Sequence, residues 1–128
     1  MGNFRTNQFS YSFAQPTHLY AAVSIAAAGA PTIVANTGMG ISSITRNSTG
    51  NYTIALSQAY YALLMLKEVQ ISSSAPTAPD MYIVTNSVTS STAPAVTVQF
   101  NSAGTATDPA SGTIILIDIV LQKSSVRY

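Results

Sequence analysis

His18 is the single histidine of this chain, and Glu68, Asp80, Asp108 and Asp118 are its four carboxylates. Acid/base catalysis needs titratable groups gathered within hydrogen-bond reach of one reacting centre, and no two of these acids stand closer in sequence than Asp108 and Asp118. His18 with a serine and a distant aspartate would make a hydrolytic triad, but no G-x-S-x-G nucleophile elbow occurs. It reads instead as an ordinary histidine at a strand end. Zinc takes three or four His or Cys ligands and calcium a dense run of acids. With one histidine, no cysteine and scattered carboxylates, the expectation is no metal, no cofactor and no enzyme.

Other short patterns carry little chemistry. Asn47-Ser48-Thr49 and Asn51-Tyr52-Thr53 both match the N-glycosylation sequon, but they lie in a run of turn formers and read as turn chemistry. Met1, Gly2 and Thr6 have the spacing of a myristoylation signal, a pattern short enough to arise by chance. Gly38-Met39-Gly40 has no following helix with a lysine, so it is no phosphate loop. Residues 1–13, M-G-N-F-R-T-N-Q-F-S-Y-S-F, lack the unbroken apolar core of a signal peptide.

Arg5, Arg46, Lys67, Lys123 and Arg127 are dispersed, whereas nucleic-acid binding needs a basic footprint, so no nucleic-acid partner is expected. Leu19 to Ala35 is the most apolar span, and Ser24, Gly29, Pro31 and Thr32 break it. It is too short and interrupted to cross a bilayer, so no membrane partner is expected. The unusual quantity is the charged fraction, 7% against about 25% in ordinary soluble domains. Ser and Thr together supply a quarter of the chain. A surface so poor in charge loses little solvation when a neighbouring subunit covers it.

The elements that position these residues read as strands. Gly40 to Ser57 is the clearest: Asn47, Ser48, Thr49, Gly50 and Asn51 separate two runs rich in Ile, Thr and Tyr, which predicts a hairpin with a longer loop at the centre of an antiparallel sheet. Tyr52, Ile54 and Leu56 share one face of its second arm. Phe9, Tyr11 and Phe13 alternate with small residues up to Pro16, predicting a first edge strand or an extended arm that adds to a neighbouring subunit. His18 to Ala28 is ambiguous, because Ala favours helix whereas Tyr20, Val23 and Ile25 favour strand. A strand is expected, followed by another at Pro31 to Asn36.

Gln58 to Ile71 has good helix formers but a nearly continuous apolar run, and the reading is a buried strand with a possible helical turn at 58–61. Residues 72–80 form a loop, and strands follow at 82–90, 96–100 and 113–123. Thr113 to Lys123 is apolar on both faces and must be covered on both sides. Asp118 interrupts it, on the face of Ile114, Leu116 and Val120. There it meets solvent, bonds a residue such as Arg46 or Tyr20, or sits at a subunit seam. Strands and turns recurring roughly every ten residues predict an all-β antiparallel sandwich. The expected division is an N-terminal arm or edge strand over 1–16 and a single sandwich domain over 17–128.

The runs G-I-S-S-I-T-R-N-S-T-G-N-Y-T-I-A-L and V-T-V-Q-F-N-S-A-G-T-A-T-D-P-A-S-G-T-I-I-L-I-D-I-V-L give the chain its likeness. From about Ala21 to Ser124 it resembles small virion proteins of tailed bacteriophages with jelly-roll or C1q-like sandwiches, among them capsid decoration (cement) proteins and fibre tips. The resemblance implies a jelly-roll-like sandwich, a homotrimer, and a place on the outer surface of the virion after synthesis in the bacterial cytoplasm. A fibre tip normally ends a longer protein with a stalk, whereas this chain opens on Met1 without heptads or a collagen-like segment, so decoration is the expected role. The partner it implies is the major capsid protein, with Phe4, Phe9, Tyr11 and Phe13 as shell contacts. The alternative is a receptor- or carbohydrate-binding tip module, with Tyr60, Tyr61 or Tyr82 as stacking platforms.

Overall fold

A computed structural model describes residues 16–36, 40–72 and 78–123. The strands are β1 (Thr17–Ile25), β2 (Pro31–Asn36), β3 (Ile41–Ser48), β4 (Asn51–Leu56), β5 (Ala62–Ile71), β6 (Asp80–Asn86), β7 (Ala95–Ser102), β8 (Thr105–Ala106) and β9 (Ile114–Gln122). One sheet has the order β2-β1-β9-β5; the other has β3-β4-β7-β6, with β8 added to β7. Every pairing is antiparallel. The protein is an all-β antiparallel sandwich. Among the described residues no helix is long and apolar enough to cross a membrane.

The ambiguity at 18–28 resolves as strand. Parity places Leu19, Ala21, Val23 and Ile25 on one face, and β1 pairs with β2 on one side and β9 on the other. Two ladders and a buried face outweigh the helix preference of its alanines. A single 3-10 turn, Ala27–Gly29, then reverses the chain into β2, with Gly29 at φ +76.

The core lies between the sheets. Ile115, Ile117, Ile119 and Leu121 of β9 meet Tyr52, Ile54 and Leu56 of β4 and Val96, Val98 and Phe100 of β7 in one cluster. Tyr52 and Phe100 pack edge to face, 5.6 Å between ring centres. Each fully buried aliphatic side chain contributes on the order of 1.5–3 kcal/mol.

Three expectations change in detail. The 40–57 hairpin forms, but its turn is only Thr49-Gly50, because a bulge between Arg46 and Ser48 lets Asn51 pair back. Within it β4 is interior, whereas β3 ends its sheet beside β2 of the other layer. Residues 62–71 are a strand and 58–61 are not helical, yet β5 is not buried. It ends its sheet, and its bulge between Leu63 and Met65 leaves Leu64 and Met65 both exposed.

Candidate assembly surface

Asp108 gathers the main polar cluster. Its carboxylate accepts from Arg46 Nε at 3.0 Å and Nη2 at 2.9 Å, from the backbone N–H of Gly50 at 2.7 Å, and from the Tyr52 hydroxyl at 3.2 Å. Tyr52 shares the same proton with the Gly29 carbonyl, 2.7 Å away. The Arg46 bonds hold the Asp108 carboxyl below its ordinary range, with Gly50 and Tyr52 adding to the effect against desolvation. Burial first, then the Asp108 charge, pushes the Tyr52 phenol well above its usual value. This cluster ties the 107–113 loop to the tip of the β3–β4 hairpin and to the 3-10 turn. A Cβ on Gly29 would lie 2.5 Å from the Asp108 carboxyl carbon, so the approach requires glycine there.

This cluster was not readable from the sequence. Arg46 is 62 residues from Asp108, and among the outcomes open for Asp118 the sequence offered Arg46 or Tyr20 as a partner. Asp118 instead accepts from His18 Nδ1 at 3.0 Å, and His18 stacks on Tyr20 with ring centres 5.8 Å apart. His18 thus stands beside Asp118 on an open sheet face. Among the described residues no three His, Asp or Glu side chains gather as a metal would require.

At the open edge between β5 and β6, Glu68 points inward. Its Oε2 is buried without a partner, as is Gln70 Oε1. Desolvation raises the Glu68 carboxyl, the Gln70 amide offsets part of this, and the Asp80 charge adds to it.

The two outer faces differ in kind. On the β4–β7 sheet the outward residues of β3, β4 and β7 form a lattice of amides and hydroxyls, while β6 at its end exposes Tyr82, Ile83 and Val84. Asn47 donates to Asn51 and Thr53, Asn51 donates to Gln99, Gln99 donates to Asn101, and the hydroxyls of Thr53 and Thr97 lie 3.4 Å apart. That lattice accounts for a surface wetted without charge.

On the β1–β9–β5 sheet the outward residues follow in cross-strand rows: Ser24, Ile114 and Ile71; Ala22, Leu116 and Val69; Tyr20, Asp118 and Lys67; His18, Val120 and Met65. Leu116 is 41% exposed, Met65 50%, Ile71 55% and Val69 60%. Single exposed apolar residues are normal, whereas neighbouring ones on one face make a patch. The expectation that β9 is covered on both faces is met on its inner face, and on its outer face at Val120, 7% exposed, whereas Leu116 of that outer face stands exposed. Beside the rows, Tyr20, Ala22, Ala35 and Leu116 line a shallow groove of about 330 Å³.

The residues proposed for stacking do not form one platform. Tyr60 is a correction: at 5% exposure it belongs to the core, where its backbone N–H bonds the Val88 carbonyl, so it cannot stack on a ligand. Tyr61 and Tyr82 are exposed, but Tyr61 enters β5 of one sheet and Tyr82 lies on β6 of the other. Phe4, Phe9, Tyr11 and Phe13 lie outside the described residues. No protein-family model, curated protein or solved structure matches the chain.

Proposed function

We propose that this chain is a structural module of a virus particle, a decoration protein that binds the outer surface of a tailed-bacteriophage head and ties neighbouring shell subunits together. One observation carries the reading: on the β1–β9–β5 sheet Leu116, Met65, Val69 and Ile71 stand side by side with 41% to 60% of their surface exposed. Such a face is stable in solution only at a cost, and covering it on assembly is favourable by about 25 cal/mol per Å² of apolar area. The face carries one charged row, Lys67 beside Asp118 with His18, whose desolvation opposes part of that gain. Adhesion of this kind is apolar and main-chain in character. In this role Phe4, Phe9, Tyr11 and Phe13 are the residues proposed to touch the major capsid protein, because alternating aromatics suit strand addition to an exposed edge.

A receptor- or glycan-binding tip is the second reading, favoured by Tyr82, whose exposed ring lies in register with Gln99 on the amide lattice. The deciding experiment is a cryo-electron microscopy reconstruction of particles that carry the chain. Density repeated over the symmetry axes of the shell supports decoration. Density confined to the tail or fibre ends overturns it and moves the role to receptor binding.

A further inference from the structure

The two side seams of the sandwich differ. On one side β2 lies against β3, whereas on the other β5 and β6 each end their sheets and make no comparable contact among the described residues. β5 pairs with β9 alone, so the backbone groups along its other side meet no described strand. The inner lining of this open seam is mixed. Leu66 and Met81 pack against the core while partly open, and Ile83, in register with the buried Val98, is 44% exposed. Beside them lie the two buried acceptors without partners, Glu68 Oε2 and Gln70 Oε1. Gln70 Nε2 donates to the Pro79 carbonyl at 2.7 Å, which sets this end of the seam next to Asp80. The seam is therefore apolar toward Leu66 and acidic toward Asp80. Residues 5–11, R-T-N-Q-F-S-Y, carry the matching sequence: one cation, no acid, and Arg5, Asn7, Phe9 and Tyr11 on alternate positions.

We propose that residues 5–11 of the same chain fill this seam as a strand antiparallel to β5, extending its sheet beyond that edge. Direction and reach follow from the topology. Thr17 and Leu63 both stand in register with Leu121, so the chain enters β1 at the end of the sandwich where β5 begins. A segment running toward Thr17 from the β5 edge therefore runs against β5. A strand beyond β5 lies three strand spacings from β1, roughly 14 Å, and the six steps from Tyr11 to Thr17 span roughly 20 Å when extended. A groove of about 430 Å³ lined by Thr17, Leu19 and Tyr60 opens at that end.

Parity fixes the register. The inner residues of β5 are Leu66, Glu68 and Gln70, between the exposed Lys67, Val69 and Ile71. Pairing Phe9 with Leu66 sets Asn7 opposite Glu68, where its amide supplies the donor that Oε2 lacks. It also sets Arg5 opposite Gln70, within reach of Asp80, the attractive placement for a cation. The inference goes beyond the decoration reading and concerns the free chain; where that reading holds, the segment leaves the seam to reach the shell.

The chain has no cysteine, so introduced thiols report alone. In the proposed register Gln8 stands opposite Lys67 on the outer face, with Cβ atoms roughly 5 Å apart. The full chain carrying Gln8→Cys and Lys67→Cys is treated with a short bismaleimide. A control carries Gln8→Cys and Ser42→Cys, because Ser42 is an exposed residue of β3, two residues beyond the Gly40 that lies against Leu19, and a roaming segment tethered at Thr17 reaches it as readily. The expected result is a link within a single chain, formed several-fold faster for the Lys67 pair than for the Ser42 pair, with circular dichroism showing both variants folded. Adding Arg5→Glu brings the Lys67 rate down to that of the control, and adding Arg5→Lys leaves most of it. Equal rates for the two pairs, covalent pairs of chains in place of the single-chain link, or a rate untouched by Arg5→Glu overturn the proposal. A reconstruction without shell density leaves this result as it is, so the two readings fail separately.

Discussion

Replacing Asp108 with alanine removes the acceptor on which the hairpin tip, the 3-10 turn and the 107–113 loop converge. The Gly50 N–H loses a 2.7 Å bond to a carboxylate and has no second partner at that position; a charge-assisted bond of this kind is worth about 2 kcal/mol. The Arg46 pair is partly exposed, with side-chain exposures of 31% and 20%. Solvent screens it, and it adds less than the Gly50 bond. Tyr52 keeps the Gly29 carbonyl and adds little. The Gly50 bond dominates the loss of about 2 kcal/mol, which for a chain of this length lowers the melting temperature by about 8 °C. Arg46→Ala removes only the screened pair and costs less. The folded-state carboxyl lies below its unfolded value, so this stability is complete above the unfolded pKa and is lost as pH falls through the folded one. The gap between wild type and Asp108→Ala therefore narrows below about pH 4. Calorimetry from pH 7 to pH 3 measures both effects. A loss under about 3 °C at pH 7, or an equal loss in Arg46→Ala, refutes the role assigned to Asp108.

Two further substitutions probe other parts of the molecule. Glu68→Gln places an amide donor beside the partnerless Gln70 Oε1 and removes a desolvated charge. It is expected to stabilise by about 1 kcal/mol at pH 7. Because the Glu68 carboxyl is raised in the folded state, its penalty is absent below the unfolded carboxyl range and complete above the folded value. The gain seen in thermal melts therefore shrinks toward pH 4, and a destabilised variant at pH 7 contradicts this. Gly50→Ala sets a Cβ 2.5 Å from the Phe100 carbonyl oxygen at φ +72. Since backbone must move to make room, a loss of at least about 2 kcal/mol in urea titration is expected, and a loss under about 0.5 kcal/mol would show the turn to be adaptable.

Period-2 patterns made most of the architecture readable. The alternation of Tyr52, Ile54 and Leu56, of Val96, Val98 and Phe100, and of Ile115 to Leu121 placed the core on the correct faces, because one buried face imposes parity on a strand. Burial was less accessible where it depends on position in the sheet. The apolar run of β5 reads as an interior strand, and nothing local reveals that it ends its sheet with one face open. Tyr60 and Tyr61 are adjacent and chemically identical, yet one is core and the other is exposed. The Arg46–Asp108 cluster joins residues from opposite ends of the fold and needs the topology before it can be seen. Asp118 was placed correctly by parity, but its partner proved to be His18.

The central claim is that the open face of the β1–β9–β5 sheet is where this chain meets other protein, and sedimentation velocity of wild type and Leu116→Lys tests it most directly. Leu116 is outward and 41% exposed, so a lysine there leaves the melting temperature close to wild type while placing a charge in the middle of the apolar rows. The account predicts that wild type either sediments above the 13.4 kDa chain mass on its own or co-sediments with shell particles stripped of it, and that the variant does neither. Wild type that does neither, or a variant that associates as wild type does, would contradict it.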